Sequence, residues 1–133
     1  MGPQKVIVRF LDGRILKGHT NSFSPQSPSF TLEPPAGQPG ELTTVEVGML
    51  KAIFFVKDFS GRKGYEEKKD FANVGVQPGK KLKVAFKDGE TIVGTTAAYD
   101  PKAVGFFMTP IDPNSNTIKL FALNAAISNV RIF

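Results

Sequence analysis

The chain has 133 residues, 41% of them hydrophobic and 22% charged, with no cysteine, no tryptophan and a formal charge of +5. The absence of cysteine excludes a disulfide framework, Cys-ligated zinc or iron–sulfur sites and thiol catalysis. The longest apolar runs, such as Ala52-Ile53-Phe54-Phe55-Val56, fall far short of the ~18 residues of a membrane span. An alternating, charged segment follows Met1-Gly2-Pro3-Gln4 directly, with no signal-peptide pattern, so a cytoplasmic protein without a membrane partner is expected.

Twelve phenylalanines are spread among thirteen glycines and ten prolines, a pattern of short strands separated by turns. Gly or Pro interrupts almost every window in which a helical i, i+3, i+4, i+7 stripe can be tried. In chain order, Val6, Val8 and Phe10 alternate with Lys5, Ile7 and Arg9, the period of a half-buried strand. Asp12-Gly13 then supplies a tight hairpin turn. A second strand carries Leu16 inward and Gly18 in its middle, where a sharp bend or a close backbone approach is expected. Pro25 marks a turn, Phe30-x-Leu32 a third strand, 34–41 a polar loop, 42–47 a fourth strand and 51–56 a fifth.

The same succession then returns. A shift of 76 positions sets 5–34 against 81–110 with ten identities in thirty ungapped positions, against about two for random pairing. Leu82, Val84 and Phe86 repeat the first strand, Asp88-Gly89 the turn, Ile92 and Gly94 the second strand, and Phe106-x-Met108 the third. Segments 118–123 and 128–133 complete a second set of five strands. The fold class expected is therefore all-β, with two tandem five-stranded SH3-like small barrels arising from an internal duplication, at 1–57 and 80–133.

The run Ile53-Phe54-Phe55-Val56 is apolar on both faces, so it is expected to be covered on both sides, by packing of the two units or by an oligomer interface. Ile7, Phe54 and Phe107 are the outward apolar positions expected at that contact. Between the units, 58–79 forms a connector expected to fold over a barrel through Phe59, Tyr65 and Phe71. Charge is concentrated there. Residues 1–56 carry five bases and four acids, 57–81 seven and four, and 82–133 five and four. Arg62, Lys63, Lys68, Lys69, Lys80 and Lys81, with Tyr65, form the candidate phosphate-gripping and base-stacking set, whereas the interleaved Glu66, Glu67 and Asp70 fit a solvated surface.

The string Val6-x-Val8-x-Phe10-x-Asp12-Gly13-Arg14-x-Leu16-x-Gly18, with Phe23 and Phe30-x-Leu32 beyond, resembles the first motif of Sm-like (LSm) proteins, and 82–108 repeats it. The doubled pattern is also similar to an uncharacterised bacterial domain family, which implies no activity. The Sm resemblance implies a bent five-stranded barrel and assembly by pairing strand four of one unit with strand five of the next. It also implies RNA contacts at an Asp and an Asn near the third strand and at an Arg-Gly pair. Here the Asp position reads Ser24 and Asp100, the Asn position Ser29 and Gly105, and the Arg-Gly pair is absent, which leaves Asp100 as the one matching residue.

Catalytic patterns are sparse. His19 is the only histidine and aligns with Thr95 of the second copy, as an exposed strand residue would. Asp112-Pro113-Asn114-Ser115-Asn116 imitates an EF-hand opening, but Thr117 replaces the required glycine and Leu123 the bidentate glutamate, so an Asx turn is the better account. Segment 75–81 lacks the Ser/Thr of a phosphate loop. The expectation is thus a non-enzymatic binding or adaptor module, without cofactor or metal, whose partner is another protein or a second copy. RNA or single-stranded DNA binding and small-ligand sensing between the barrels are the alternatives.

Overall fold

The computed structural model describes residues 4–35, 39–59, 79–112 and 114–133. The fold is all-β. The first repeat forms β1 (Gln4–Phe10), β2 (Ile15–Thr20), β3 (Ser29–Leu32), β4 (Thr43–Glu46) and β5 (Leu50–Val56). The second forms β6 (Lys80–Phe86), β7 (Thr91–Thr96), β8 (Gly105–Pro110), β9 (Thr117–Leu123) and β10 (Ile127–Ile132). Single 3-10 turns, Val47–Met49 and Asn124–Ala126, join strand four to strand five in each copy.

Eight strands make one antiparallel sheet in the order β10-β6-β7-β8-β9-β5-β1-β2, and β3 and β4 form a separate pair. This differs from two separately closed barrels, because the sheets are open and one of them runs through both repeats. The link is β5 against β9, with Ile53 opposite Phe121 and Phe54 opposite Leu120. Beyond β2 a single bridge, His19 to Glu33, leads on to β3.

Repeated residues produce repeated geometry. Asp12 and Asp88 each accept the backbone N–H two residues on, at 3.0 and 2.9 Å, and Gly13 and Gly89 follow with φ of +95° and +96°. That left-handed conformation is one glycine adopts freely. At Gly18 and Gly94 the requirement is space. A Cβ there would lie 2.1 Å from the carbonyl oxygen of Glu33 or of Thr109. Just past each glycine, Thr20 Oγ1 donates to the Thr31 carbonyl (2.8 Å) and Thr96 Oγ1 to the Phe107 carbonyl (2.6 Å). These bonds tie strand two to strand three where the ladder itself is short.

Two cores result, and both draw on the β5–β9 seam. Val6, Val8, Phe30, Leu32 and Val45 pack with Leu50, Ile53 and Phe55 of β5, and with Phe121 and Leu123 of β9. Leu82, Val84, Phe86, Phe106 and Met108 pack with Leu120 and Ala122 of β9, and with Ala52, Phe54 and Val56 of β5. Every residue of β5 is buried, because alternate side chains enter different cores. Each large side chain so buried contributes about 1.5–3 kcal/mol of transfer free energy, which makes the seam a principal source of cohesion.

One inward assignment fails. Leu16 is 36% exposed, whereas its counterpart Ile92 is 9% exposed. Ile92 is roofed by Ile7 and Phe54 from the first repeat. Among the described residues Leu16 has no equivalent roof, since the structure joins the repeats through one seam and not two.

Candidate functional site

The seam positions the side chains with the most unusual environments. Lys51 lies on β5 between Leu50 and Ala52 and is only 4% exposed. Its ammonium reaches across to the β6–β7 turn of the other repeat. There it pairs with Asp88 at 2.7 Å and with Glu90, and stands 4.8 Å from the Phe86 ring centroid. Hydrogen bonding from Lys51, followed by the Glu90 backbone N–H, lowers the Asp88 carboxyl below its ordinary value. Asp12 is lowered too, by the Arg14 backbone N–H, and it pairs with Arg14 at 2.8 Å on the open surface.

Beside this cluster, a cleft of about 210 Å³ crosses the seam, walled by Ile7, Phe54, Ile92 and Leu120 with Arg9 and Glu90 among its lining residues. The Arg9 guanidinium stands 5.7 Å from the Phe54 ring centroid. A second, shallower cleft of about 360 Å³ follows β10, with Tyr99, Pro101, Ile127 and Val130 in its wall. Among the described residues no group of three His, Asp or Glu side chains is placed to hold a metal ion. No helix among them is long and apolar enough to cross a membrane.

The residues singled out from sequence fall into three groups. Ile7, Phe54 and Phe107 all lie at contacts between the repeats. Ile7 stands opposite Phe54 across β1 and β5, and Phe107 packs 6.1 Å from Phe23 and 5.0 Å from Phe121. Arg62, Lys63, Tyr65, Lys68 and Lys69 lie outside the described residues, as does Phe71. Lys80 and Lys81 open β6, away from the seam cleft. Asp100 is exposed and accepts the Lys102 backbone N–H at 2.9 Å, so its carboxylate closes a local turn. The remaining candidates, Asp12, Gly13, Gly18, Asp88, Gly89 and Gly94, occupy the turns and close approaches described above.

Outside those groups, His19 is half-buried, with its ring edge-on to Phe59 at 5.4 Å. Asp112 receives the Asn114 backbone N–H at 2.9 Å, an Asx turn. The Lys51 cluster is absent from the sequence reading. Two signals point to it: a lysine inside an otherwise apolar strand, and Glu90 in the second hairpin where the first has Arg14.

Residues 2–133 match a family of unknown function (DUF6982), and the chain belongs to that family. No curated protein and no solved structure matches it.

Proposed function

We propose that this chain is a non-catalytic binding module of two packed Sm-like β units, acting through protein–protein contacts at sheet edges. The observation that carries this reading is the seam. Strand five of one repeat pairs with strand four of the other, so the geometry by which the halves recognise each other is edge-to-edge strand addition. The counterparts of those two strands, β10 and β4, end the strand succession. The succession within each repeat, five-one-two-three-four, supports the Sm-like description. It runs β5-β1-β2-β3-β4 once the His19–Glu33 bridge is included, and β10-β6-β7-β8-β9 in the second copy.

Panning a displayed library of extended peptides against the full chain, then mapping binders by hydrogen exchange, tests the proposal. Protection of β4 or β10 is expected. A library with no binder, or purified protein that carries nucleic acid removable by nuclease, overturns it. The nucleic-acid alternative draws chiefly on connector residues outside the described part of the chain. The seam cleft favours a second reading, a small ligand held between the repeats near Arg9 and Glu90. A fragment screen read by thermal shift, with I7W used to fill the cleft, tests it: hits that survive I7W count against it.

A further inference from the structure

The two ends of the strand succession are not copies of the seam, and the differences say what one of them accepts. The register sets Phe30 opposite Val45 and Phe106 opposite Ala122, so strands four and five of the second repeat run 77 positions behind those of the first. On this correspondence Arg131 stands where β5 has Phe54, and Lys83 where β1 has Ile7. Arg131 and Lys83 are directly opposite one another, both exposed, and neither is paired with a carboxylate among the described residues. Like charges in that relation repel and destabilise a sheet.

The other face of β10 has the opposite character. In the first repeat, Phe23 packs against Phe121, 5.2 Å away, a side chain delivered by the strand that adds to β5. In the second repeat the corresponding place beside Tyr99 and Val130 is the open cleft along β10. Among the described residues no strand pairs with the backbone on the outer side of β10. Phe133 N–H donates to the Lys81 carbonyl, so Arg131 also turns its peptide groups toward β6, while those of Val130 and Ile132 point away from it, to the outer edge. Ile132 is 51% exposed there.

We propose that the β10 edge receives an extended segment of a partner protein in which acidic side chains alternate with aromatic or other apolar ones. This rests on the protein-binding reading above. The acidic positions lie over Lys83 and Arg131, the apolar ones enter the cleft beside Tyr99 and Val130, and the backbone bonds to Val130 and Ile132. The β4 edge of a second copy satisfies neither face. In the seam register its β4 would set Thr43 opposite Arg131, and would offer Thr44 where Phe121 stands in the seam. A nucleic-acid strand would meet the cations but has no peptide groups to complete the edge.

The test uses the full 133-residue chain and a synthetic peptide alternating phenylalanine with glutamate, followed by fluorescence anisotropy at about 50 mM salt, where charge pairing is weakly screened. R131E alters an exposed side chain, and I132P removes an outward-facing N–H that β6 does not use. Circular dichroism of both variants confirms folding. Each is expected to weaken binding about tenfold or more, and a lysine-for-glutamate peptide is expected to recover affinity for R131E. Equal binding of glutamate and lysine peptides to the unaltered chain overturns the proposal. So does an R131E-sensitive single-stranded oligonucleotide in the absence of peptide binding, or chain-length dimers blocked by I132P. Library binders that protect β4 alone also overturn it while leaving the broader protein-binding reading intact.

Discussion

Lys51 Nζ stands 2.7 Å from an Asp88 carboxylate oxygen, and this pair joins β5 of the first repeat to the hairpin turn of the second. The lysine side chain is 5% exposed while the aspartate is 53% exposed, so the two partners have unequal stakes in the contact. Removal of the acids strands a buried cation. Removal of the cation leaves two carboxylates that water can reach. D88N/E90Q is therefore expected to destabilise the chain by up to about 3 kcal/mol, at the low end for a broken buried pair because solvent reaches the acids. K51M, which keeps the volume of the stem, is expected to change stability by less than about 1 kcal/mol. Urea denaturation of the two variants decides it, and equal losses would contradict the asymmetry.

Acid sensitivity follows from the same pair. The folded Asp88 carboxyl titrates below its ordinary value of 3.8, chiefly because Lys51 hydrogen-bonds to its charged form. A group depressed on folding stabilises the folded state above its unfolded pKa, and this contribution fades as pH falls through the folded value. Melting temperatures should thus decline on acidification below about pH 4, and D88N should flatten that part of the curve. A D88N profile parallel to that of the unaltered chain would show that Asp88 plays no part.

Gly94 and Gly89 separate two reasons for glycine. At Gly89 an added Cβ meets nothing within 4 Å, and the strain is confined to a φ of +96°. G89A should cost about 1 kcal/mol. At Gly94 the Cβ would fall 2.1 Å from the Thr109 oxygen, so two strands must part. G94A should cost several times as much and lower the yield of folded protein. Chemical denaturation of the pair checks the order, which the reverse ranking would refute.

Because β5 and β9 serve both cores, the repeats should unfold together. Differential scanning calorimetry is expected to show one transition with matching calorimetric and van't Hoff enthalpies. F121A should cost about 3–5 kcal/mol and lower that single transition as a whole. Two resolved transitions, with only one displaced by F121A, would mean that the repeats are independent.

The residues of the site were legible to different depths. Ile7, Phe54 and Phe107 could be named as contact residues because each is apolar at an outward strand position. The role of Lys51 is not legible in the sequence, because its partners lie in the other repeat, 37 and 39 positions away, and periodicity within one strand carries no information about them. The Lys83–Arg131 face was hidden for the same reason. Two unremarkable surface cations become a repelling pair only when β6 and β10 are set side by side.

Length, composition and the 76-residue repeat were enough to determine an all-β chain, its strands, its Asp-Gly turns and a fifth strand that must be covered on both faces. These features are local, since side-chain alternation and turn chemistry are written into neighbouring residues. Which strand covers β5 was decided only in the tertiary structure, because an antiparallel ladder between segments some 65 residues apart is selected by two-sided burial and not by any local signal. That one pairing turns two expected barrels into a shared double core. It leaves Leu16 unroofed while Ile92 is covered, and leaves β4 and β10 at the two ends.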